Sequence, residues 1–171
     1  MDSTINIQKS IELQYLIFKP NSLFIFEIII EFLLFVVWTF STFLLLINPN
    51  NSFSIFTIIL LILMNLILLI SWYFIYKLLK LDIQNTSNSR ENIFLLLQKE
   101  FPKMKIVDDG SDVFIFKLDT GLISWGKVLT IIFSEKNAYV NLTTLGRHDI
   151  KSPIHSILNY VKLKKILHNN L

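Results

Sequence analysis

Two long, predominantly apolar stretches, residues 23–47 and 53–76, sit almost back to back in this chain and leave it few options. Each exceeds the roughly 20 residues a helix needs to cross a hydrocarbon core. Lipid offers backbone amides no hydrogen-bond partners, so such stretches are stable there only as helices that satisfy themselves. The link between them, Asn48-Pro49-Asn50-Asn51-Ser52, is too short to hold a domain, which makes the two helices antiparallel neighbours. Residues 21–80 therefore read as a two-helix transmembrane hairpin, with spans at 23–47 and 53–76 and the lipid bilayer as the first partner. A cleaved signal peptide is not expected, because 23–47 is longer than the apolar core of such a signal and lacks a small-x-small cleavage site.

The basic residues orient this hairpin. Lys9 and Lys19 precede it, Lys77, Lys80 and Arg90 follow it, and the link carries none. Basic residues favour the cytoplasmic side, which places both termini there in a multi-pass protein of the cell membrane. Trp72, Tyr73 and Tyr76 then fall at the cytoplasmic boundary as an aromatic belt.

Composition separates the hairpin from the rest. Apolar residues make up 53% of the chain, above the usual level of about 45–50%, and the excess is confined to residues 21–76. The net charge is +3, and from Asn85 onward twelve Lys/Arg face eight Asp/Glu. No basic stretch outside the hairpin is interleaved with stacking aromatics, so nucleic acid is not an expected partner. A surplus of this kind suits a domain held beside anionic lipid. The chain has no cysteine, which excludes disulfides, thiolate metal sites and cysteine nucleophiles.

Local patterning divides the remainder. In residues 1–20, a cytoplasmic tail, Ile5, Ile7, Ile11, Leu13, Tyr15 and Ile17 fall on odd positions and suggest an extended segment, although Ile7, Ile11 and Phe18 also share a helical face. Residues 81–88 are polar and aperiodic and read as a linker. From Ser89 an amphipathic helix sets Ile93, Leu96, Leu97 and Phe101 on one face and ends before Pro102. Four strand-like stretches follow, at 103–107, 112–118, 126–134 and 138–145, separated by the short turns Asp109-Gly110, Thr120-Gly121 and Lys136-Asn137. Short turns imply an antiparallel meander. Ser152-Pro153 then opens a closing helix, in which Ile154, Ile157, Leu158, Val161 and Ile166 form the expected apolar stripe. The expected fold is thus a membrane α-helical hairpin plus a cytoplasmic α+β soluble domain at 89–171, made of a helix, a four-stranded antiparallel meander and a C-terminal helix. Both helices would lie on one face of the sheet in two layers.

Within this domain Trp125-Gly126-Lys127-Val128-Leu129-Thr130-Ile131, a strand ending in Thr143-Thr144, and Ser152-Pro153 entering Leu158-Asn159-Tyr160 and Lys162-Leu163-Lys164-Lys165-Ile166 make a pattern. It resembles a small domain found in uncharacterised bacterial two-span membrane proteins, where Ser-Trp-Gly-Glu precedes a strand and a Trp-Gly-Lys-Asn-like element lies in the last helix. The resemblance covers residues 91–167. Lys127 stands where that pattern has Glu, and Tyr160-Val161 where it has Trp-Gly. The resemblance implies the α+β fold and a bacterial origin, and no activity.

The unusual chemistry lies in the spans. Glu27 and Glu31 are one helical turn apart in the first, and Asn65 and Ser71 lie in the second. A charged carboxylate deep in a bilayer costs at least about 3 kcal/mol. Counted from the cytoplasmic ends, Glu31 matches Asn65 in depth and Glu27 matches Ser71, which defines an intramembrane polar seam. One reading of the seam is polar glue between the two helices. The other is an ion or proton path in an oligomer, or a site for a basic partner.

Elsewhere the candidates are Lys162, Lys164 and Lys165 as a membrane-surface basic patch, and Trp125 as a partner contact or aromatic anchor, with packing beneath the closing helix as its alternative. His148, His155 and His168 share no metal-ligand spacing. Residues 108–112 lack the ligand order of a calcium loop, and the four glycines are scattered rather than grouped as a phosphate loop. No catalytic residue, metal or cofactor is expected, and the chain does not read as an enzyme. The expected function is a membrane-anchored, non-catalytic interaction or sensing module that binds a protein partner or the membrane surface. The alternative is an oligomerising effector or channel-like protein built on Glu27, Glu31 and Asn65.

Overall fold

A computed structural model describes residues 5–19, 22–47, 55–83, 88–121, 124–146 and 151–170. The chain divides into two compact units, Pro20–Ile70, and Met1–Lys19 together with Ser71–Leu171. The first contains helix α2 (Ser22–Ile47) and most of helix α3 (Ile55–Ile75). Among the described residues only α3 is long and apolar enough to cross a membrane, and α2 contributes the shorter apolar stretch Phe35–Ile47. Leu33, Phe40, Leu63 and Ile67 are among the many large apolar side chains these helices leave exposed. Their hydroxyls turn inward on their own backbone: Thr39 Oγ1 donates to Phe35 O and Thr42 Oγ1 to Trp38 O, both at 2.9 Å. This is how a polar side chain in an apolar helix is satisfied without water. The link at 48–52 lies outside the described residues.

The second unit is an α+β fold built on a five-stranded antiparallel sheet in the order β1-β5-β4-β3-β2. The strands are β1 (Leu79–Asp82), β2 (Lys105–Asp109), β3 (Val113–Leu118), β4 (Gly126–Phe133) and β5 (Asn137–Leu145). The four strands expected from sequence form the meander β2 to β5. The fifth corrects the count, and it takes up residues assigned to the end of the hairpin and to the linker. It is absent from the local pattern because Leu79-Lys80-Leu81-Asp82 is a strand only by pairing with β5, Leu79 opposite Val140 and Asp82 opposite Asn137.

Alternation along the strands gives the sheet two buried faces. On one, Phe116, Leu129, Ile131, Phe133, Val140 and Leu142 pack under α4 (Asn88–Glu100) and α5 (Ser156–Asn170), through Ile93 and Leu97 of α4, Phe101 just after it, and Leu163 and Leu167 of α5. Phe94 extends this core as an aromatic cluster, 5.6 Å from Phe114 and 5.3 Å from Phe116 between ring centroids. On the other face Val113, Ile132 and Tyr139 are covered by Ile5, Leu16 and Leu78. Two layers were expected, and the N-terminal tail supplies a third.

That tail is not an extended segment. Residues Ile7–Leu13 form helix α1, capped by the Asn6 side chain accepting from Lys9 N at 3.3 Å and ended by Gln14 in the left-handed region, φ 49°. The odd-position isoleucines follow from the ends of the segment, where Ile5 bridges Phe18 and Tyr15 bridges Lys77. Buried Ser10 ties the loop together, its Oγ donating to Asn6 O at 2.7 Å and accepting from Ile17 N at 2.8 Å.

The closing helix also differs from its expected orientation. A 3-10 turn at Pro153–His155 leads into α5, whose buried positions are Ser156, Asn159, Leu163 and Leu167. Of the stripe expected to face the core, Ile154, Leu158 and Val161 are exposed, at 63%, 66% and 58%. Polar groups win the inner face here because each has a fixed partner: Asn159 Nδ2 donates to Thr144 Oγ1 at 2.8 Å, and Ser156 Oγ donates to Ser71 O.

Candidate functional site

The most elaborated part of the folded unit is the point where α3 ends. After Ile75 the chain must leave a helix, turn and enter β1, and several carbonyl oxygens lose their helical partners there. Three segments distant in sequence supply replacements. From β5, Asn141 Nδ2 donates to Ile75 O at 3.0 Å and to Lys77 O at 2.9 Å, and Thr143 Oγ1 donates to Ile75 O at 3.1 Å. Thr143 Oγ1 also lies 2.7 Å from Asn141 Oδ1 and shares its one proton between that oxygen and Ile75 O, which fixes the amide orientation. From the tail, Leu16 N donates to Tyr76 O at 2.8 Å and Leu78 N donates to Gln14 O at 3.1 Å. From α5, Ser156 bonds to Ser71 O. Asn141, Thr143 and Ser156 are all buried, so these bonds form away from water, where leaving them unmade is costly.

Around this clamp lies a ring of aromatics and cations. Tyr15 is 6.0 Å from Tyr73 and 5.6 Å from Tyr76, and Phe18 meets Tyr76 edge-on at 6.0 Å. Lys151 donates to the Tyr76 hydroxyl at 3.1 Å with its ammonium 4.9 Å from that ring, and Lys77 lies 5.4 Å from the Tyr73 ring. The residues expected as an aromatic belt thus include two, Tyr73 and Tyr76, that join a cluster shared with the N-terminal tail. Sequence reasoning missed Asn141, Thr143 and Ser156 because a buried polar residue on a strand or helix has no local signature.

The seam residues have separate surroundings. In the first unit Asn65 Nδ2 donates to Leu61 O at 2.9 Å, and its buried Oδ1 has no hydrogen-bond partner among the described residues. Ser71 belongs to the second unit; it is fully buried, its Oγ has no hydrogen-bond partner among the described residues, and its carbonyl is held by α5. Glu27 and Glu31 lie on α2, and their side chains are outside the described residues.

The three lysines of the expected basic patch, Lys162, Lys164 and Lys165, are all exposed. Lys162 lies over the Phe101 ring at 5.2 Å, beside a pocket of about 250 Å³ that Lys103, Lys127 and Glu100 also line. Burial first, and the charge of Lys162 second, hold the Lys127 ammonium below its ordinary value of 10.5. A lowered lysine disfavours the folded state while it is charged. That penalty is fully present below the lowered pKa, and stability rises as pH climbs from there to 10.5. Lys162→Gln is expected to move the Lys127 titration, followed by NMR of its side-chain methylene signals, up toward the ordinary value. An unmoved titration would show that the two charges do not interact.

A larger pocket of about 480 Å³ is lined by Arg90, Leu95, Phe94, Phe114 and Phe133, with the Arg90 guanidinium 5.2 Å from the Phe133 ring. Trp125 is 53% exposed and its ring lies 4.9 Å from that of His155, whose Nδ1 is 2.9 Å from Ser152 Oγ. It is therefore not packed beneath the closing helix. Gly126 next to it can hold no side chain, since a Cβ there would lie 2.8 Å from Leu118 O and 2.8 Å from Thr120 Cγ2. Residues 147–150, His148 included, lie outside the described residues, as do the side-chain surroundings of Asn169 and Asn170. Among the described residues no group of three or more His, Asp or Glu side chains converges as a metal ion would require. Comparison of the chain with known protein families, curated proteins and solved structures finds no match, so the likeness of residues 91–167 to two-span membrane proteins carries no family assignment.

Proposed function

We propose that this protein is a membrane-anchored, non-catalytic interaction or sensing module, in which α2 and α3 form a two-span hairpin and both termini face the cytoplasm. The observation that carries this reading is the clamp on the end of α3. A passive tether needs only a flexible linker, whereas here the last turn of the apolar helix is hydrogen-bonded into the folded domain by Asn141, Thr143 and Ser156. Such a joint transmits a tilt or rotation of the helix to the sheet, and a partner docked on the sheet-and-helix domain to the helix. The basic surplus of the domain suits the cytoplasmic leaflet.

A second reading, an oligomerising effector or channel-like protein, draws on the buried Oδ1 of Asn65, which has no partner among the described residues. A carbonyl oxygen of that kind calls for a donor, which a protonated Glu31 or another copy of the chain would supply. The two readings separate on expression of the full chain in cells. The module leaves the membrane potential unchanged and is crosslinked to a partner through its cytoplasmic domain. Depolarisation that Glu31→Gln abolishes would replace it with the effector.

A further inference from the structure

The exposed apolar face at the start of α5 has a place in the membrane reading above, on which this inference rests. Ile154, Leu158 and Val161 recur at the spacing of one helical face, all more than half exposed, and Trp125 stands beside them on the His155 ring. Isolated exposed apolar side chains are ordinary; four together on one patch are not.

Two contacts fix the level of this patch along α3. Ser156 bonds to Ser71 O, and Tyr160 stacks on Phe74 with centroids 5.0 Å apart. Both contacts advance in the same direction, so α5 starts beside Ser71 and runs alongside the final turn of α3 toward its end. Ser71 lies four residues before Ile75, which is about 6 Å along a helix. When α3 crosses a bilayer, Ile154 is therefore at or inside the acyl boundary, Leu158 lies about 3 Å beyond the level of Ser71, and Val161 lies near the level of Ile75. Lys165 continues the same face toward the headgroups. The gradient from apolar to basic along one face, with a tryptophan at its start, is that of a segment seated in a membrane interface.

We infer that Trp125, Ile154, Leu158 and Val161 form an interfacial lipid-binding face that seats the domain in the cytoplasmic leaflet beside the exit of α3. Lipid is the occupant because this surface runs beside the last turn of α3 at Ser71 and Phe74, and because the Lys151–Tyr76 pair marks a headgroup-like boundary at the same end.

The absence of cysteine allows a direct test. The full chain carrying a single Leu158→Cys, Leu63→Cys or Leu95→Cys substitution is spin-labelled and reconstituted in phosphatidylcholine–phosphatidylglycerol vesicles. Collision with oxygen and with a water-soluble nickel chelate is then measured for each label. The inference expects the label at 158 to resemble that at 63, favouring oxygen over nickel several-fold more than the exposed label at 95. If 158 matches 95 while 63 favours oxygen, the interfacial face is wrong and the anchor stands. If 63 is itself open to nickel, the anchor fails and this inference with it. A label at 158 shielded from both reagents would assign the face to a second copy of the chain and overturn the lipid occupant.

Discussion

Leu163→Ala is expected to destabilise the folded unit by about 2–5 kcal/mol, whereas Leu158→Ala on the same helix is expected to change it by no more than about 0.5 kcal/mol in detergent. The two leucines share a helix and a chemistry and differ only in what surrounds them. Leu163 is 1% exposed and packs with Leu97, Leu129 and Leu167 in the core between the helices and the sheet. Truncating it leaves a cavity that the surrounding strands can close only in part. Leu158 is open on the opposite side, so its removal leaves no void. Urea unfolding in micelles, followed by circular dichroism, measures both. Equal losses, or a larger loss at Leu158, would restore the rotation of α5 that its apolar stripe suggests and would sink the interfacial face.

The second large effect is expected at the clamp. Asn141→Ala removes three hydrogen bonds at once, to Ile75 O, to Lys77 O and from Thr143 Oγ1, and is expected to cost about 2–4 kcal/mol. Thr143→Val removes the donor shared by Ile75 O, which Asn141 still serves, and Asn141 Oδ1, and is expected to cost about 1–2 kcal/mol. The asymmetry lies at Lys77 O, whose bond at 2.9 Å comes from Asn141. Hydrogen exchange supplies a local readout. Amides of Tyr76, Lys77 and Leu78 should lose protection in Asn141→Ala before those of β3 and β4 do. Uniform loss across the sheet would mean that Asn141 stabilises the domain as a whole and is no specific joint. A protein with Asn141→Ala that folds yet fails to retain its crosslinked partner would tie the joint to the function proposed above.

Several elements were legible locally. The face of α4 bearing Ile93 and Leu97, continued by Phe101 just past its end, follows from helical spacing, and Phe114 and Phe116 against Val113 and Ile115 follow from strand alternation. The turn at Asp109-Gly110 separates β2 from β3 as its residues suggest. These features depend on side chains within one or two turns of one another. The candidate site was legible only at its margins, through Tyr73, Tyr76 and the exposed Trp125. Its hydrogen-bonding residues went unseen, because Asn141 on an alternating strand and Ser156 after a proline look like ordinary surface positions.

By itself the sequence determined that the chain has a strongly apolar region with an antiparallel α+β domain after it, and which residues alternate across the meander. Tertiary structure alone decided that residues 1–19 join that domain, that Leu79–Asp82 is its fifth strand, and that α5 turns Leu163 inward and Leu158 outward. The physical reason is the range of the bonds involved. The contacts of Asn141, Thr143 and Ser156 with the end of α3 span 64 to 85 residues. Each is worthwhile only once burial has removed water as a competing partner, and no pattern within a short window of sequence records that.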